Sequence, residues 1–389
     1  MWLFKKRPQH LPKAEGKYVP GCSDVMLDYS ENGVFFRLYY PTKANVTENE
    51  KSKWLPWFEE NYLEGLAKAL FLKLFLFKVA KWWYTDGNIL MPSLYGEQVN
   101  ADNKLKCIIF SHGYASNRFF CSIICNELAS RGYLVLAMEH RDGSACYTYY
   151  YKSKEDAQKN NKTPIEIKTV KFGAGHYAAR NAQVKRRHDE CNRVLDFLIN
   201  LNKGEVPHNV MDDCGKNNFT LRDLVGRLDI ENITIAGHSF GGATALLTLS
   251  RRKEIKLGIL LDAWMFPIKE EEDLISEVTQ PLLFVNTQAF HIVPNLKVMQ
   301  KFLTNDDRQM HTILGTTHEA HCDAGVFMGY WLNLFMKKLE PYLALKLNNA
   351  LILRFLKRYT SHTENIEDLE KCLEDQAAEV LHGLTKPWA

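Results

Sequence analysis

The sequence has no marked excess of charge, no internal repeat and no low-complexity tract. Its formal net charge is +3, with 24% charged and 46% hydrophobic residues in a chain of 389. Proteins that bind nucleic acids concentrate positive charge, so this balance predicts no nucleic-acid partner. The composition is typical of a globular chain, and the length suits one large domain with insertions.

Cysteine is present, but in no pattern that predicts a metal site or a disulfide framework. The nine cysteines are odd in number and scattered, and Cys121 and Cys125, four positions apart, have no second pair to complete a zinc site. We therefore expect reduced thiols, as in a cytosolic protein. The sequence predicts that the chemistry needs neither a metal ion nor an organic cofactor.

The sequence also lacks the usual targeting signals. Basic residues follow a very short apolar start, and no apolar core with a cleavage site comes after them. Residue 2 is Trp2, where N-myristoylation requires glycine, and the C-terminus has no prenylation box. These features predict a cytoplasmic protein and leave peripheral membrane contact open.

Residues 63–84 are unusually apolar, but lysines at positions 68, 73, 78 and 81 interrupt them. A bilayer span needs about 20 mostly apolar residues, so we expect a helix that does not cross a membrane. It fits either a helix lying in the membrane interface or one that packs on the body of the protein or covers its pocket. In the first interpretation the residues entering the interface are Leu70, Phe71, Leu74, Phe75, Trp82 and Trp83.

Short apolar runs alternate with amphipathic stretches along most of the chain, after a first predicted strand at 33–40. Strands are predicted at 107–110, 133–138, 233–236, 257–261, 282–286 and 311–314, and helices at 116–131, 180–202, 241–252 and 325–339. This alternation predicts an α/β fold with a doubly wound, mainly parallel sheet. We expect one domain over residues 1–340, including an N-terminal extension and helix 63–84, followed by a helical appendage at 341–389.

The pentapeptide Gly237–Gly241 places a serine between a predicted strand and a predicted helix. Gly-x-Ser-x-Gly alone is a weak signal, but in this context it is typical of the nucleophile elbow of the α/β-hydrolase fold. The glycines permit a tight crossing, and the helix N-terminus favours developing negative charge. We therefore predict Ser239 as a nucleophile.

A serine nucleophile needs a base, and the base needs an acid that orients it. Asp262 directly follows the strand after the elbow helix, and the loop after the next strand offers no carboxylate between residues 286 and 291. Asp262 is therefore the predicted acid. For the base, the loop after the last strand offers His318 and His321, of which His318 is nearer the strand end and is preferred.

Acyl transfer also needs an oxyanion hole. The backbone N–H of Phe240, directly after the serine, is one predicted donor. The second is the N–H of Tyr114, in the loop after strand 107–110, where Gly113 allows close backbone approach.

Several strings resemble the platelet-activating factor acetylhydrolases, the lipoprotein-associated and intracellular type II group of serine phospholipases A2. The matching strings are Ser111–Gly113, Glu139–Asp142, Gly237–Gly242, Leu261–Pro267 and Pro281–Asn286. The resemblance covers about residues 15–340, and Asp-Ala-Trp-Met-Phe-Pro from position 262 is its most specific part.

The resemblance implies Ca²⁺-independent hydrolysis of the sn-2 acetyl, short or oxidised acyl group of a glycerophospholipid. It places the nucleophile, acid and base on Ser239, Asp262 and His318, and the oxyanion donors on Tyr114 and Phe240. It also favours contact of helix 63–84 with a lipid surface. The alternatives are a general carboxylesterase or lipase of the same fold and, with a complete triad present, a much weaker case for a non-enzymatic binding protein.

Overall fold

One long, mainly parallel sheet organises the part of the chain that the computed structural model describes, residues 9–44, 53–71, 73–75, 89–170, 173–215, 219–328, 338–361 and 364–384. Its eleven strands within these residues follow the order β13-β12-β11-β10-β9-β5-β6-β2-β1-β4-β3. The neighbours from β12 to β6 are all parallel. This arrangement confirms the predicted doubly wound α/β fold.

The strands, in chain order, are β1 Pro20–Leu27, β2 Val34–Pro41, β3 Trp54–Pro56, β4 Leu90–Tyr95, β5 Leu105–Ser111, β6 Tyr133–Glu139, β7 Tyr147–Tyr150, β8 Thr163–Glu166, β9 Leu228–His238, β10 Ile255–Leu261, β11 Leu282–Thr287, β12 Arg308–Ile313 and β13 Val380–His382. The helices are α1 Glu60–Ala69, α2 Ser122–Ser130, α3 Lys154–Gln158, α4 His176–Asn202, α5 Phe240–Arg251, α6 Leu274–Glu277, α7 Val293–Gln300, α8 Ala324–Met328, α9 Pro341–Thr360 and α10 Glu367–Asp375. Strands β7 and β8 form a separate antiparallel pair.

The central strands are buried on both faces, which explains why their sequences are continuous apolar runs. In β5, Ile109 packs into the core under α4 and α5, while its neighbour Ile108 packs into the core under α2 and α9. Successive side chains of a strand point to opposite faces, so each strand supplies both cores. Two apolar layers thereby hold the strand ends in fixed relative positions.

The segment after residue 340, predicted as an appendage, contributes directly to this core. Helix α9 buries residues such as Leu351 and Phe355 among the apolar side chains of the sheet and α2. Strand β13 pairs antiparallel with β12 and extends the sheet. Helix α9 therefore packs within the α/β layers.

Two helix predictions are corrected. The helix predicted at 116–131 begins only at Ser122, because residues 116–121 form turns and irregular backbone. The continuous helix predicted at 63–84 is wrong, because α1 ends at Ala69 and Phe71 takes a left-handed φ of 54°. The predicted interfacial residues Trp82 and Trp83 lie outside the described residues. None of the helices in the described ranges combines the length and apolar character that crossing a bilayer requires.

Candidate active site

Ser239 lies at a sharp turn between β9 and α5. Its backbone has φ 55° and ψ −115°, a conformation that few non-glycine residues adopt. The serine N–H donates to the Leu261 carbonyl at 2.9 Å, and the Trp264 N–H donates to the serine carbonyl at 2.8 Å. These bonds to the end of β10 hold the strained turn in place.

The two glycines of the elbow are required by close backbone contacts. A Cβ on Gly237 would lie 2.1 Å from the Gly241 carbonyl oxygen. A Cβ on Gly241 would lie 1.9 Å from the Ser111 carbonyl oxygen at the end of β5. Both distances are far below van der Waals contact, so only glycine lets α5 start this close to the two strands.

The carboxylate of Asp262 lies at the end of β10, next to the strand that carries the serine. It is fully buried and accepts hydrogen bonds from the Thr287 N–H at 2.7 Å and the Thr287 hydroxyl at 2.5 Å. Burial by itself disfavours the charged carboxylate. Charge and hydrogen bonding from His321 and His318 outweigh that effect and hold the pKa of Asp262 well below its usual range.

His318 is the histidine that contacts this carboxylate directly, with 3.0 Å between Nδ1 and Asp262 Oδ2. Its ring stacks on Phe290 at a centroid distance of 4.0 Å, and 28% of its side chain is exposed. The contact through Nδ1 leaves Nε2 as the ring nitrogen free to meet a serine hydroxyl. His318 therefore combines an acid partner with access to solvent.

The other histidines near the strand ends do not combine these features. His321 places Nε2 at 3.7 Å from Asp262 Oδ2, but it is buried. His291 meets the Thr287 carbonyl through Nδ1 at 2.9 Å, and His311 faces His382 across strands β12 and β13. The geometry thus favours His318 over His321, in agreement with the preference drawn from the loop position.

Of the two predicted oxyanion donors, Phe240 directly follows the serine and Tyr114 follows Gly113, which packs against the elbow. Phe240 is the first residue of α5, so its N–H has no acceptor within the helix. Gly113 packs on the elbow so closely that a Cβ there would lie 3.3 Å from Ser239 Cβ. This approach brings the following residue, Tyr114, to the same side of the site.

A buried ion pair supports the loop that carries Tyr114. Arg187 of α4 donates to the His112 carbonyl at 2.6 Å and to the Gly113 carbonyl at 3.3 Å. Its guanidinium also pairs with Asp142 at 3.0 Å, and both side chains are completely buried. Because the His112 and Gly113 carbonyls both accept hydrogen bonds from Arg187, this side chain holds the loop in one conformation.

Sequence reasoning missed two parts of this arrangement. Thr287, which donates twice to Asp262, and Arg187, which anchors the loop, carry no motif of their own. Asp142 does stand in the string Glu139–Asp142, whose His140 bridges Ser111 at 2.8 Å and Glu190 at 2.6 Å. The string was thus a signal for a buried polar network behind the oxyanion loop.

The chain is similar to known proteins over nearly its whole length. The family described as platelet-activating factor acetylhydrolase, isoform II, matches residues 4–380. A platelet-activating factor acetylhydrolase of Cavia porcellus is 35% identical over 382 residues, which cover 97% of this chain and 84% of that protein. A platelet-activating factor acetylhydrolase of Bos taurus is 33% identical over 378 residues, which cover 96% of this chain and 82% of that protein.

Two more distant similarities also cover most of this chain. A protein of Schizosaccharomyces pombe named putative phospholipase A2 is 25% identical over 404 residues, covering 89% of this chain and 88% of that protein. Among solved structures, a ferulic acid esterase from Streptomyces cinnamoneus superposes with a TM-score of 0.68 and 15% identity, covering 96% of this chain and 99% of the other. At that identity the likeness shows the fold alone.

Replacing Arg187 by leucine should strongly destabilise the protein, because Asp142 would be left buried and unpaired. We expect a loss of about 3–5 kcal/mol in the free energy of unfolding, measured by urea denaturation. Lys185→Leu, on the same helix with an exposed side chain and an ion pair to Glu271 at 3.0 Å, is the matched control. It should cost about 0–1 kcal/mol. Equal effects of the two variants would contradict the proposed support.

Proposed function

Because the chain belongs to the platelet-activating factor acetylhydrolase family, we propose that it hydrolyses the sn-2 acetyl, short or oxidised acyl ester of glycerophospholipids without Ca²⁺. The products are a lysophospholipid and a carboxylic acid. The observation that carries the proposal is the pairing of buried Asp262 with His318 beside a serine in a strained elbow. This constellation is what acyl transfer from an ester requires.

Ser239 acts as the nucleophile and His318 as the base in this proposal. Nε2 of His318 takes the hydroxyl proton as the serine oxygen attacks the sn-2 carbonyl carbon, and Asp262 stabilises the imidazolium that forms. The imidazolium then protonates the lysophospholipid oxygen as the ester bond breaks. Water, deprotonated by His318, attacks the acyl-enzyme, releases the carboxylic acid and restores the serine.

The N–H groups of Phe240 and Tyr114 stabilise the tetrahedral oxyanion. The N-terminus of α5 adds its partial positive charge at the same point. Arg187 contributes by positioning, because it holds the two carbonyls that precede Tyr114. A donor that is already oriented costs no reorganisation when charge develops.

An aromatic wall beside the serine favours a short acyl group. The Trp264 ring stacks on Phe266 at 5.6 Å and meets the Phe240 ring edge at 5.5 Å. The backbone N–H of Trp264 donates to the Ser239 carbonyl, so this residue follows the elbow directly. We propose that the stacked rings border the acyl pocket, where they would leave limited room for a long chain. A deep pocket would instead support the alternative of a general carboxylesterase or lipase.

We also propose that the end of α1 contacts the lipid surface. Leu70, Phe71 and Phe75 are 47%, 85% and 70% exposed, and Leu74 is half-buried. Exposed apolar side chains of this size mark surfaces that meet a partner or a membrane.

All nine cysteines lie in the described residues and are unpaired, which supports a reducing, cytoplasmic compartment for the enzyme.

The assignments within the site can be tested by three substitutions. Ser239→Ala and His318→Ala should each lower kcat by about 10⁴-fold or more. His321→Ala should lose about tenfold, because it removes only a longer, secondary contact to Asp262. Labelling by a fluorophosphonate should be lost in Ser239→Ala and kept in Ser276→Ala, an exposed serine elsewhere. Full activity in Ser239→Ala, or a larger loss in His321→Ala than in His318→Ala, would overturn the roles.

The acyl-length preference separates the two enzymatic functions. Purified protein should hydrolyse phospholipids with an sn-2 acetyl group much faster than those with palmitoyl, compared by kcat/KM. Trp264→Ala should raise the palmitoyl rate relative to the acetyl rate, whereas Trp264→Phe, which keeps a ring in the wall, should change that ratio less. Comparable rates on both substrates by the unmodified enzyme would favour the general esterase.

The lipid contact can be measured by flotation with phosphatidylcholine vesicles. Phe71→Glu with Phe75→Glu should reduce the bound fraction severalfold, because a charged group resists entry into the interface. Hydrolysis of a water-soluble acetyl ester should be unchanged. The control is Leu381→Glu, an exposed leucine in β13, at the opposite edge of the sheet from the strand that precedes α1. Unchanged flotation of the double variant would reject the contact.

A further inference from the structure

Three buried side chains meet next to the elbow without taking part in the proposed reaction. The cysteines Cys121 and Cys322 and the imidazole of His238 bring one ligand atom each to within 4.8 Å of the others. The two sulfur atoms are 3.9 Å apart, and the Sγ of Cys322 is 3.5 Å from Nδ1 of His238. In sequence these residues are far apart, and Cys125, the nearest cysteine to Cys121 along the chain, is not among them.

We propose that Cys121, Cys322 and His238 bind one Zn²⁺ ion. Zinc binds thiolate sulfur at about 2.3 Å and imidazole nitrogen at about 2.0–2.1 Å in tetrahedral geometry. Those lengths require about 3.8 Å between two sulfur ligands and about 3.5 Å between sulfur and nitrogen. The observed separations of 3.9 and 3.5 Å agree with both values.

The same distances argue against a disulfide as the purpose of the cluster. A disulfide requires about 2.05 Å between the sulfur atoms, so the two thiols would have to approach by almost 2 Å. A disulfide would also leave His238 without a role. Zinc would bind this ring through Nδ1, for which the Cys322 thiol at 3.5 Å is only a weak partner.

The zinc-bound site would carry no net charge, as a buried position requires. All three residues are buried, and an isolated charge there would be costly. Two thiolates neutralise the two positive charges of zinc, and the imidazole binds as a neutral ligand. Binding converts two thiols to thiolates and releases two protons to solvent. The fourth tetrahedral position remains for a water molecule.

Hydrogen bonds of neighbouring residues hold Cys121 and Cys322 in position relative to each other. The carboxylate of Asp323, next to Cys322, accepts from the Ser122 N–H at 2.9 Å, the Ser122 hydroxyl at 2.5 Å and the Ile123 N–H at 2.9 Å. In return, the Asp323 N–H donates to the Phe120 carbonyl at 3.0 Å. The chain around Cys322 is thus fastened to the start of α2, directly beside Cys121. Such outer contacts are what orient metal ligands.

The site would connect three segments that converge on the reacting groups. His238 precedes Ser239, Cys322 lies in the loop of His318, and Cys121 precedes α2. The rings of His238 and His318 are 4.5 Å apart. Zinc there would stiffen the elbow and the base loop relative to each other. This consequence for catalysis rests on the proposed function, whereas metal binding itself does not.

Metal analysis of the purified full chain tests the proposal. The probe is Zn²⁺ added in slight excess to reduced protein, followed by desalting and measurement of zinc per chain. We expect about one zinc per chain for the unmodified protein and for Cys125→Ser, a buried cysteine in α2 that is outside the cluster. Cys121→Ser and Cys322→Ser should retain almost none.

Two further readouts keep the test decisive if a variant folds poorly. Co²⁺ bound to the unmodified protein should show thiolate-to-cobalt charge-transfer absorption, and Zn²⁺ should raise Tm of the unmodified protein and of Cys125→Ser. No retained zinc and no charge-transfer band in the unmodified protein would overturn the site. So would a Cys121–Cys322 disulfide found by mass spectrometry in place of metal. None of these measurements needs hydrolysis, so failure of the proposed function would leave the result interpretable.

Discussion

The arrangement of the site depends on how closely α5 can approach the ends of β5 and β9. Gly241 lies against the Ser111 carbonyl and Gly237 against the Gly241 carbonyl, at positions where any Cβ would overlap. This contact forces Ser239 into its left-handed conformation and directs the first N–H of the helix toward the site. It also brings Gly113 onto the elbow. Nucleophile, helix terminus and oxyanion loop therefore share one steric constraint.

Buried polar groups fix the other parts of the site in position relative to the elbow. Asp262 is fixed by Thr287 and His318, and Asp323 is fixed by the first turn of α2. Arg187 and Asp142 hold the carbonyls behind the oxyanion loop. A buried charge is tolerated only when it is paired and hydrogen-bonded, so each of these groups permits few positions for the loop that carries it. The loops of this site are positioned by electrostatics as much as by apolar packing.

The features that could be predicted from sequence are those with a local cause. Central strands such as β9 and β10 contain continuous apolar runs because both faces are buried, so these strands could be recognised from the sequence. Asp262 and His318 followed from their positions at strand ends, since a parallel sheet gathers such residues at one edge. The start of α2 was misplaced because its capping carboxylate comes from Asp323, about two hundred residues later. The apolar pattern at 63–84 likewise did not show that α1 ends at Ala69.

By itself, the sequence determined the α/β class and predicted the elbow, the acid and the base, because periodicity, glycine spacing and strand-end position are local properties. Only the tertiary structure decided that the last segment joins the core, that Arg187 anchors the oxyanion loop, and that Cys121 meets Cys322 and His238. Those contacts join distant parts of the chain. Their existence depends on how the layers pack, and no short pattern in the sequence encodes that packing.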